Sequence, residues 1–149
     1  MRSFLALLAI VPATLGHFLL NYPGTLGFDE DMEGTSPCGG FPITFGGNVT
    51  NVTVGSLAIA LTSTHPQANW LFRATLNTQA PFNWTNLSPV ISETGLGNFC
   101  LPTLSVPSSF AGQQGLIQVQ QDAADGVLYQ VCNCLHSRIV SSLSANKPN

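Results

Sequence analysis

The stretch "NWLFRATL", residues 69–76, alternates large apolar side chains with other residues, and this alternation decides the fold class. The residues of one face are Trp70, Phe72, Ala74 and Leu76. The residues of the other face are Leu71, Arg73 and Thr75. A repeat of two residues is typical of a β-strand that buries one face and leaves the other accessible. The stretch therefore predicts a half-buried strand.

Three further stretches have the same repeat: "SLAIALT" at 56–62, "GLIQVQQ" at 115–121 and "GVLYQV" at 126–131. In 115–121, Ile117 and Val119 share one face, and Gln118 and Gln120 share the other. Turns rich in glycine, proline and asparagine separate these stretches, and no amphipathic helix of three turns is evident. Many short strands joined by such turns predict an all-β protein, an antiparallel sandwich.

The chain begins with a segment that is typical of an export signal. "FLALLAIV", residues 4–11, is apolar, follows a positive charge and is too short to span a bilayer. Small residues precede a cleavage point after Gly16, which would leave His17 as the new N-terminus. Cleavage after Ala13 is the competing choice. We therefore expect residues 1–16 to be a signal peptide and one domain to follow.

Composition supports an extracellular protein. Charged residues make up 7% of the chain, and the formal net charge is −3. So few basic residues exclude a nucleic-acid footprint. Four Asn-x-Ser/Thr sequons, at Asn48, Asn51, Asn83 and Asn86, fit a glycosylated surface.

The four cysteines are Cys38, Cys100, Cys132 and Cys134. In an exported chain they predict disulfides rather than a thiolate metal site. Cys132 and Cys134 are too close in sequence to favour bonding each other. We therefore expect each of them to pair with Cys38 or Cys100.

An N-terminal histidine would have unusual metal chemistry. Its α-amine has a reference pKa near 8, so it can lose its proton near neutral pH. The amine and the ring Nδ1 of His17 can then close a chelate ring. His65, in "TSTHPQ" just past a predicted strand, is the natural second imidazole. Three nitrogens in this arrangement suit Cu(II).

Other chemistries have weaker signals. The acidic stretch 28–34, "FDEDMEG", could be a calcium loop, but it lacks the EF-hand spacing and is better interpreted as a solvated loop. No Gly-x-Ser-x-Gly motif occurs, and no pair of carboxylates points to glycoside hydrolysis. His136 is not expected to be a third copper ligand.

The stretch "HFLLNYPGTLGFDEDMEGTSPCGGF", residues 17–41, resembles the start of mature fungal copper-binding proteins of the X325, or copper acquisition factor BIM1-like, family. "STHPQANWLFRATL", "APFNWTNLSPV", "GLGNFCLP" and "IQVQQDAADGVLYQ" extend the resemblance over residues 17–130. The resemblance implies an immunoglobulin-like or fibronectin-like sandwich, similar to lytic polysaccharide monooxygenases. It also implies one copper ion per chain, held by a histidine brace of His17 and His65.

The family also brings an aspartate near the copper. Asp122 and Asp125 are the candidates here, with a slight preference for Asp125, although "DAADG" is also good hairpin chemistry. The monooxygenases usually have an axial tyrosine instead. We interpret Tyr129 as a core or strand residue and not as that tyrosine.

The resemblance implies a secreted, monomeric protein that captures Cu(II) at the fungal cell surface for uptake machinery and does not oxidise polysaccharide. The alternative is a copper-dependent lytic polysaccharide monooxygenase. Such an enzyme needs a flat docking face with exposed aromatics. Trp70 and Trp84 form no obvious planar group in the sequence, and the sequons would crowd such a face.

Residues 131–149 depart from the family pattern. Val131 stands where the family continues from Leu-Tyr-Gln directly into cysteine, and "CNCLHSRIVSSLSANKPN" follows. This ending has no apolar tail of the kind that directs a GPI anchor to the membrane or wall in relatives. One hypothesis is that 131–149 is the translation of a retained intron, which the genomic sequence would test.

Overall fold

The computed structural model describes residues 16–45 and 49–137, and of residues 135–137 only the backbone. Within these ranges the chain forms nine β-strands and one short 3-10 helix, Ser108–Phe110. The strands are β1 Phe18–Tyr22, β2 Thr50–Thr53, β3 Leu57–Ser63, β4 Gln67–Thr75, β5 Thr85–Asn86, β6 Ile91–Thr94, β7 Gly97–Leu104, β8 Gln114–Ala123 and β9 Gly126–Ser137. No helix in the described part is long and apolar enough to cross a membrane.

The strands form two sheets. The smaller sheet has the order β1-β3-β7, and its pairs are antiparallel. The larger sheet has the order β2-β9-β8-β4-β5, with β6 also paired to β4. Its pairs are antiparallel except that β2 runs parallel to β9. The predicted all-β sandwich is confirmed, with one parallel pair at the edge formed by β2.

The core lies between the two sheets and contains the apolar residues that the alternation predicted to share one face of each strand. In β3, Leu57, Ile59 and Leu61 are buried. From β4, Trp70 and Phe72 meet them and are fully buried. The edge of the Phe18 ring packs on Trp70, with ring centroids 5.2 Å apart. Each buried side chain of this size stabilises the fold by roughly 1.5–3 kcal/mol.

The larger sheet is covered on its outer face too, which corrects the prediction of a half-buried β8. Residues 23–45, called the cover segment below, lie over β8 and β9, where Cys38 packs with Leu116 and Val131. Gln118 is fully buried on this face, and its amide donates to the Pro37 carbonyl oxygen at 2.6 Å. A polar residue on a predicted outer face can be buried when a covering loop supplies its hydrogen bonds.

The disulfide prediction is wrong. Cys132 and Cys134 bond each other, while Cys38 is free and buried and Cys100 is free and exposed. Residues two apart on a strand point to the same face, and their Cα atoms are 5.9 Å apart, within disulfide range. Cys38 lies beyond the other face of the same sheet, and Cys100 lies on β7 of the other sheet.

Strand β9 continues through residues 131–137, so the first part of the atypical C-terminal segment completes the larger sheet. Several predictions fall outside the described residues: the leader up to residue 15, the sequon Asn48, the remainder 138–149 and the side chain of His136.

Candidate metal centre

His65 lies in the turn between β3 and β4 and is held from both sides. Its backbone N–H donates to Ser63 Oγ at 3.2 Å, and Ser63 Oγ also accepts from the Gln121 amide at 2.8 Å. The imidazole is 6% exposed. Its Nδ1 is buried without a hydrogen-bond partner. A buried imidazole nitrogen without a partner is an unused donor or acceptor that a ligand could satisfy.

His17 lies directly before β1, next to this turn. Its backbone N–H donates to Thr64 Oγ1 at 2.6 Å, and its carbonyl oxygen accepts from the Thr64 N–H at 3.0 Å. The pairing of Phe18 with Ser63 in the smaller sheet fixes this register. The two predicted histidines are therefore brought to the same end of the sandwich.

Asp125, in the exposed turn between β8 and β9, joins the two histidine segments. One carboxylate oxygen contacts His65 Nε2 at 2.6 Å, and the other accepts from the Gly16 N–H at 2.8 Å. Burial raises the pKa of Asp125, but the bonds from Gly16 and His65 outweigh it, so the pKa lies below its usual range. Asp125 is therefore held as a carboxylate beside His65.

Gly16 packs directly on the His65 imidazole. A β-carbon placed on Gly16 would lie 2.7 Å from His65 Nε2, so any larger residue would overlap the ring. The Gly16 carbonyl carbon joins the Gly16 Cα to the backbone nitrogen of His17. This nitrogen would become the amine of a chain that begins at His17, and it would lie beside the second imidazole.

A second carboxylate, Glu33, contacts the other histidine. Its Oε2 lies 3.2 Å from His17 Nδ1, and its side chain is 1% exposed. Burial raises the pKa of Glu33 above its usual range, and hydrogen bonds from Gln130 and His17 oppose this rise only in part. The interpretation of residues 28–34 as a solvated loop is therefore wrong at Glu33, although Asp29, Glu30 and Asp31 are exposed.

Sequence reasoning missed Glu33 because it is one of four acidic residues in a row of seven. One signal could have found it. Its position in the row is the last of the four acids, next to the stretch that leads to the buried Cys38, but its burial comes from contacts with Tyr129 and Gln130 of β9.

The described side chains hold no group of three or more histidine, cysteine, aspartate or glutamate residues close enough for a metal ion. The site instead consists of two histidine–carboxylate pairs, linked by Gly16 and His17. A brace of one terminal amine and two imidazoles needs only two side chains. The approach of Gly16 to the Nε2 edge of the His65 ring fits such a site.

The other candidate residues lie apart from these pairs. Asp122 is in β8 opposite Asn69 and Val127, and its side chain lines a cleft beside His65. Tyr129 is a half-buried strand residue of β9, as interpreted, and its N–H donates to the Glu33 carbonyl oxygen.

The three described sequon asparagines, Asn51, Asn83 and Asn86, are exposed. Asn51 pairs with Leu135, about 30 Å along β9 from the Asp125 turn at 3.3 Å per residue. Asn86 pairs with Arg73, four residues along β4 from the register position of Asp122. The expectation that the four sequons would crowd a docking face stays a prediction.

Comparison with known proteins places the chain among copper proteins by similarity. The family profile described as copper acquisition factor BIM1-like matches residues 15–149. The chain is 32% identical to the lytic polysaccharide monooxygenase-like protein X325 of Yarrowia lipolytica, over 96% of this chain and 56% of that protein. It is 29% identical to the copper acquisition factor BIM1 of Cryptococcus neoformans var. grubii, over 87% of this chain and 64% of that protein. The chain thus spans about three fifths of these relatives.

Two solved structures share the fold. The catalytic domain of the lytic polysaccharide monooxygenase Lmo2467 from Listeria monocytogenes matches with a TM-score of 0.56 and 17% identity, over 80% of this chain and 99% of that one. A CBM33 polysaccharide monooxygenase matches with a TM-score of 0.50 and 22% identity, over 60% of each chain. At these identities the likeness extends to the fold alone, and it confirms the predicted sandwich class.

Proposed function

Because the chain belongs to the copper acquisition factor BIM1-like family, we propose that its mature form binds Cu(II) and serves copper acquisition without oxidising polysaccharide. The amine and ring of His17 and the ring of His65 hold one ion per chain. A relative named as a copper acquisition factor supports copper as the cargo. The observation that supports the proposal is the approach of Gly16 to the His65 ring, since the nitrogen of the next residue, His17, would be the free amine after cleavage.

Removal of residues 1–16 is the step that completes this site. While Gly16 is attached, the His17 nitrogen is an amide whose lone pair is delocalised into the Gly16 carbonyl group, so it is a far poorer ligand than an amine. Cleavage converts it into an amine that can lose its proton near pH 8. The same cut removes Gly16 from His65 and from Asp125. Asp125 then lies beside the imidazole as a carboxylate and favours a doubly charged ion.

A copper-dependent lytic polysaccharide monooxygenase is the alternative, since the fold is shared with such enzymes. The surface of the described residues favours binding over polysaccharide docking. Trp70 is fully buried, and Trp84 is half-buried beneath the Arg73 guanidinium, 5.0 Å from the ring centroid. The large exposed aromatics of the described part are Tyr22 and Phe28, at 40% and 37%. Two such rings do not make a broad flat face.

The same proposal includes secretion to the cell surface and glycosylation. A glycan on Asn51 would lie far along β9 from the histidine end, so copper could still enter past it. The partner would be copper uptake machinery, approached by a monomer through the uncovered end. Anchoring to the membrane or wall, as we expect for relatives, is a separate property that this proposal does not need.

The decisive experiment compares the secreted protein with a variant that carries one extra alanine before His17. Intact mass should show a chain that begins at His17 and takes up one copper ion. The extended variant should bind Cu(II) more than about 100-fold more weakly, a larger loss than outer ligands usually cause. The control carries the same alanine after Asn149 and should bind normally. A mature chain with a different first residue, or an extended variant of unchanged affinity, would overturn the proposal.

A further inference from the structure

Glu33 is a buried carboxylate without a fixed cation. Its side chain is 1% exposed, and a buried ionised carboxylate is costly unless it is paired. Arg73 is the one arginine or lysine in the described part of the chain. Its guanidinium contacts Gln118 and the Trp84 ring instead. Among the described residues, the group in contact with Glu33 that can carry a positive charge or hold a cation is His17.

The position of Glu33 is set by strand contacts. Its Oε1 accepts from the Gln130 amide at 2.8 Å, and the same amide donates to the Phe18 carbonyl oxygen. Gln130 in turn accepts from the Leu20 N–H at 3.0 Å. The Glu33 carbonyl oxygen accepts from Tyr129, one residue earlier in β9. Both sheets therefore hold this carboxylate, and it does not depend on the leader.

The second carboxylate oxygen of Glu33, Oε2, faces Nδ1 of His17, the ring nitrogen that a chelate with the terminal amine would use. Oε2 lies 3.2 Å from His17 Nδ1. The proton and the lone pair of an imidazole nitrogen occupy the same direction in the ring plane. Whatever Nδ1 binds, a proton or an ion, therefore lies on the side of Glu33 Oε2.

We propose that Glu33 is a second carboxylate of the copper site, facing an ion held by Nδ1 of His17. The inference rests on the proposed function, since it needs an ion on His17. Asp125 contributes its charge from the His65 side and Glu33 from the His17 side. Two carboxylates balance the two charges of Cu(II) and leave Cu(I) with excess negative charge. Glu33 therefore makes the site selective for the oxidised ion.

The test is Glu33→Gln in the mature protein, with Asp31→Asn as the matched control. Both changes remove one negative charge by an isosteric amide, but Asp31 is exposed two residues away. We expect Glu33→Gln to weaken Cu(II) binding about 10- to 100-fold in a chelator competition. Cu(I) binding should fall less, and the electron paramagnetic resonance spectrum of bound Cu(II) should change. Asp31→Asn should leave all three readouts unchanged.

A folded Glu33→Gln protein with wild-type affinity and spectrum would overturn the inference. The structure of the copper-loaded wild-type protein tests it without any substitution. It should show Glu33 Oε2 within about 4 Å of the ion, the distance at which opposite charges interact strongly. A Glu33 side chain turned away from the ion would refute the inference alone. A wild-type chain that takes up no Cu(II) would instead overturn the proposed function and this inference with it.

Discussion

The two histidine–carboxylate pairs at the end of the sandwich are built in opposite ways. In the His65–Asp125 pair the histidine is buried and the acid lies on an exposed turn, with the atoms 2.6 Å apart. In the His17–Glu33 pair the acid is buried and the histidine is 22% exposed, with the atoms 3.2 Å apart. The pKa of Asp125 is lowered and that of Glu33 is raised.

This difference means that removal of the leader changes the surroundings of Asp125 but leaves those of Glu33 in place. Asp125 shares its hydrogen bonds between His65 and Gly16, so loss of the leader frees one of its oxygens. Glu33 is held by the Gln130 amide and the Tyr129 N–H, both of β9, and neither contact involves residues before His17. The exposed acid can therefore adjust to an ion, whereas the buried acid is fixed before the ion arrives.

The largest expected effect is a loss of stability at high pH. Its measurement tests whether the cover segment, to which Glu33 belongs, packs firmly on the larger sheet. Burial raises the pKa of the Cys38 thiol, five residues after Glu33, from 9.0 to about 11. The neutral thiol is therefore favoured in the folded state, and its contribution to stability is complete below pH 9. It should be lost as the pH rises towards 11, by about 3 kcal/mol at 1.36 kcal/mol per pKa unit. Chemical denaturation from pH 8 to 11 measures this slope.

Cys38→Ala is the control for that measurement, because it removes the thiol and keeps a small apolar side chain. The variant should lose stability less steeply than the wild type between pH 9 and 11. Identical slopes in the two proteins would mean that the thiol is not buried against Leu116 and Val131. The cover segment would then not be the rigid support that the contrast between the two pairs requires.

A smaller effect distinguishes the two acids directly. Glu33→Ala leaves the Gln130 amide short of an acceptor and opens a cavity, so it should destabilise the mature chain by about 2 kcal/mol. Asp125→Ala removes an acid from an exposed turn and should cost less than about 1 kcal/mol. Thermal or denaturant unfolding without metal measures both. Equal losses would contradict the distinction between a fixed and an adjustable carboxylate.

The sequence predicted the parts of this molecule that depend on local pattern. The alternation in 56–62 and 69–76 identified β3 and β4, because a strand has a period of two residues. It also placed Leu57, Ile59 and Trp70 on the inward face of these strands. The chemistry of an N-terminal histidine pointed to His17 and His65, and the family resemblance added Asp122 and Asp125. The fold brings His17, His65 and Asp125 to one end of the sandwich. Their role as copper ligands stays a prediction.

Features that depend on long-range packing could not be predicted in this way. Gln118 has the pattern of a solvent-facing residue, and only the cover segment, some 80 residues earlier in the chain, buries it. Glu33 belongs to an acidic run, and its burial depends on Gln130, which is 97 residues away. The short separation in sequence argued against a bond between Cys132 and Cys134. The decisive fact is that both side chains lie on one face of β9, which only the structure shows.

The smallest expected effect concerns the two aspartates that the sequence could not separate. Asp125 contacts His65 directly, whereas Asp122 lines a cleft beside that ring, in register with Val127. Asp122→Asn should therefore change Cu(II) affinity less than about twofold, as expected for a screened surface charge. Asp125→Asn should weaken it about tenfold, because it removes a carboxylate hydrogen-bonded to a ligand imidazole. Chelator competition on the two isosteric variants measures the ratio. A larger loss of Cu(II) affinity in Asp122→Asn than in Asp125→Asn would assign the adjustable carboxylate to β8. The Asp125–His65 contact would then belong to the uncleaved chain, in which Gly16 still holds the aspartate in place.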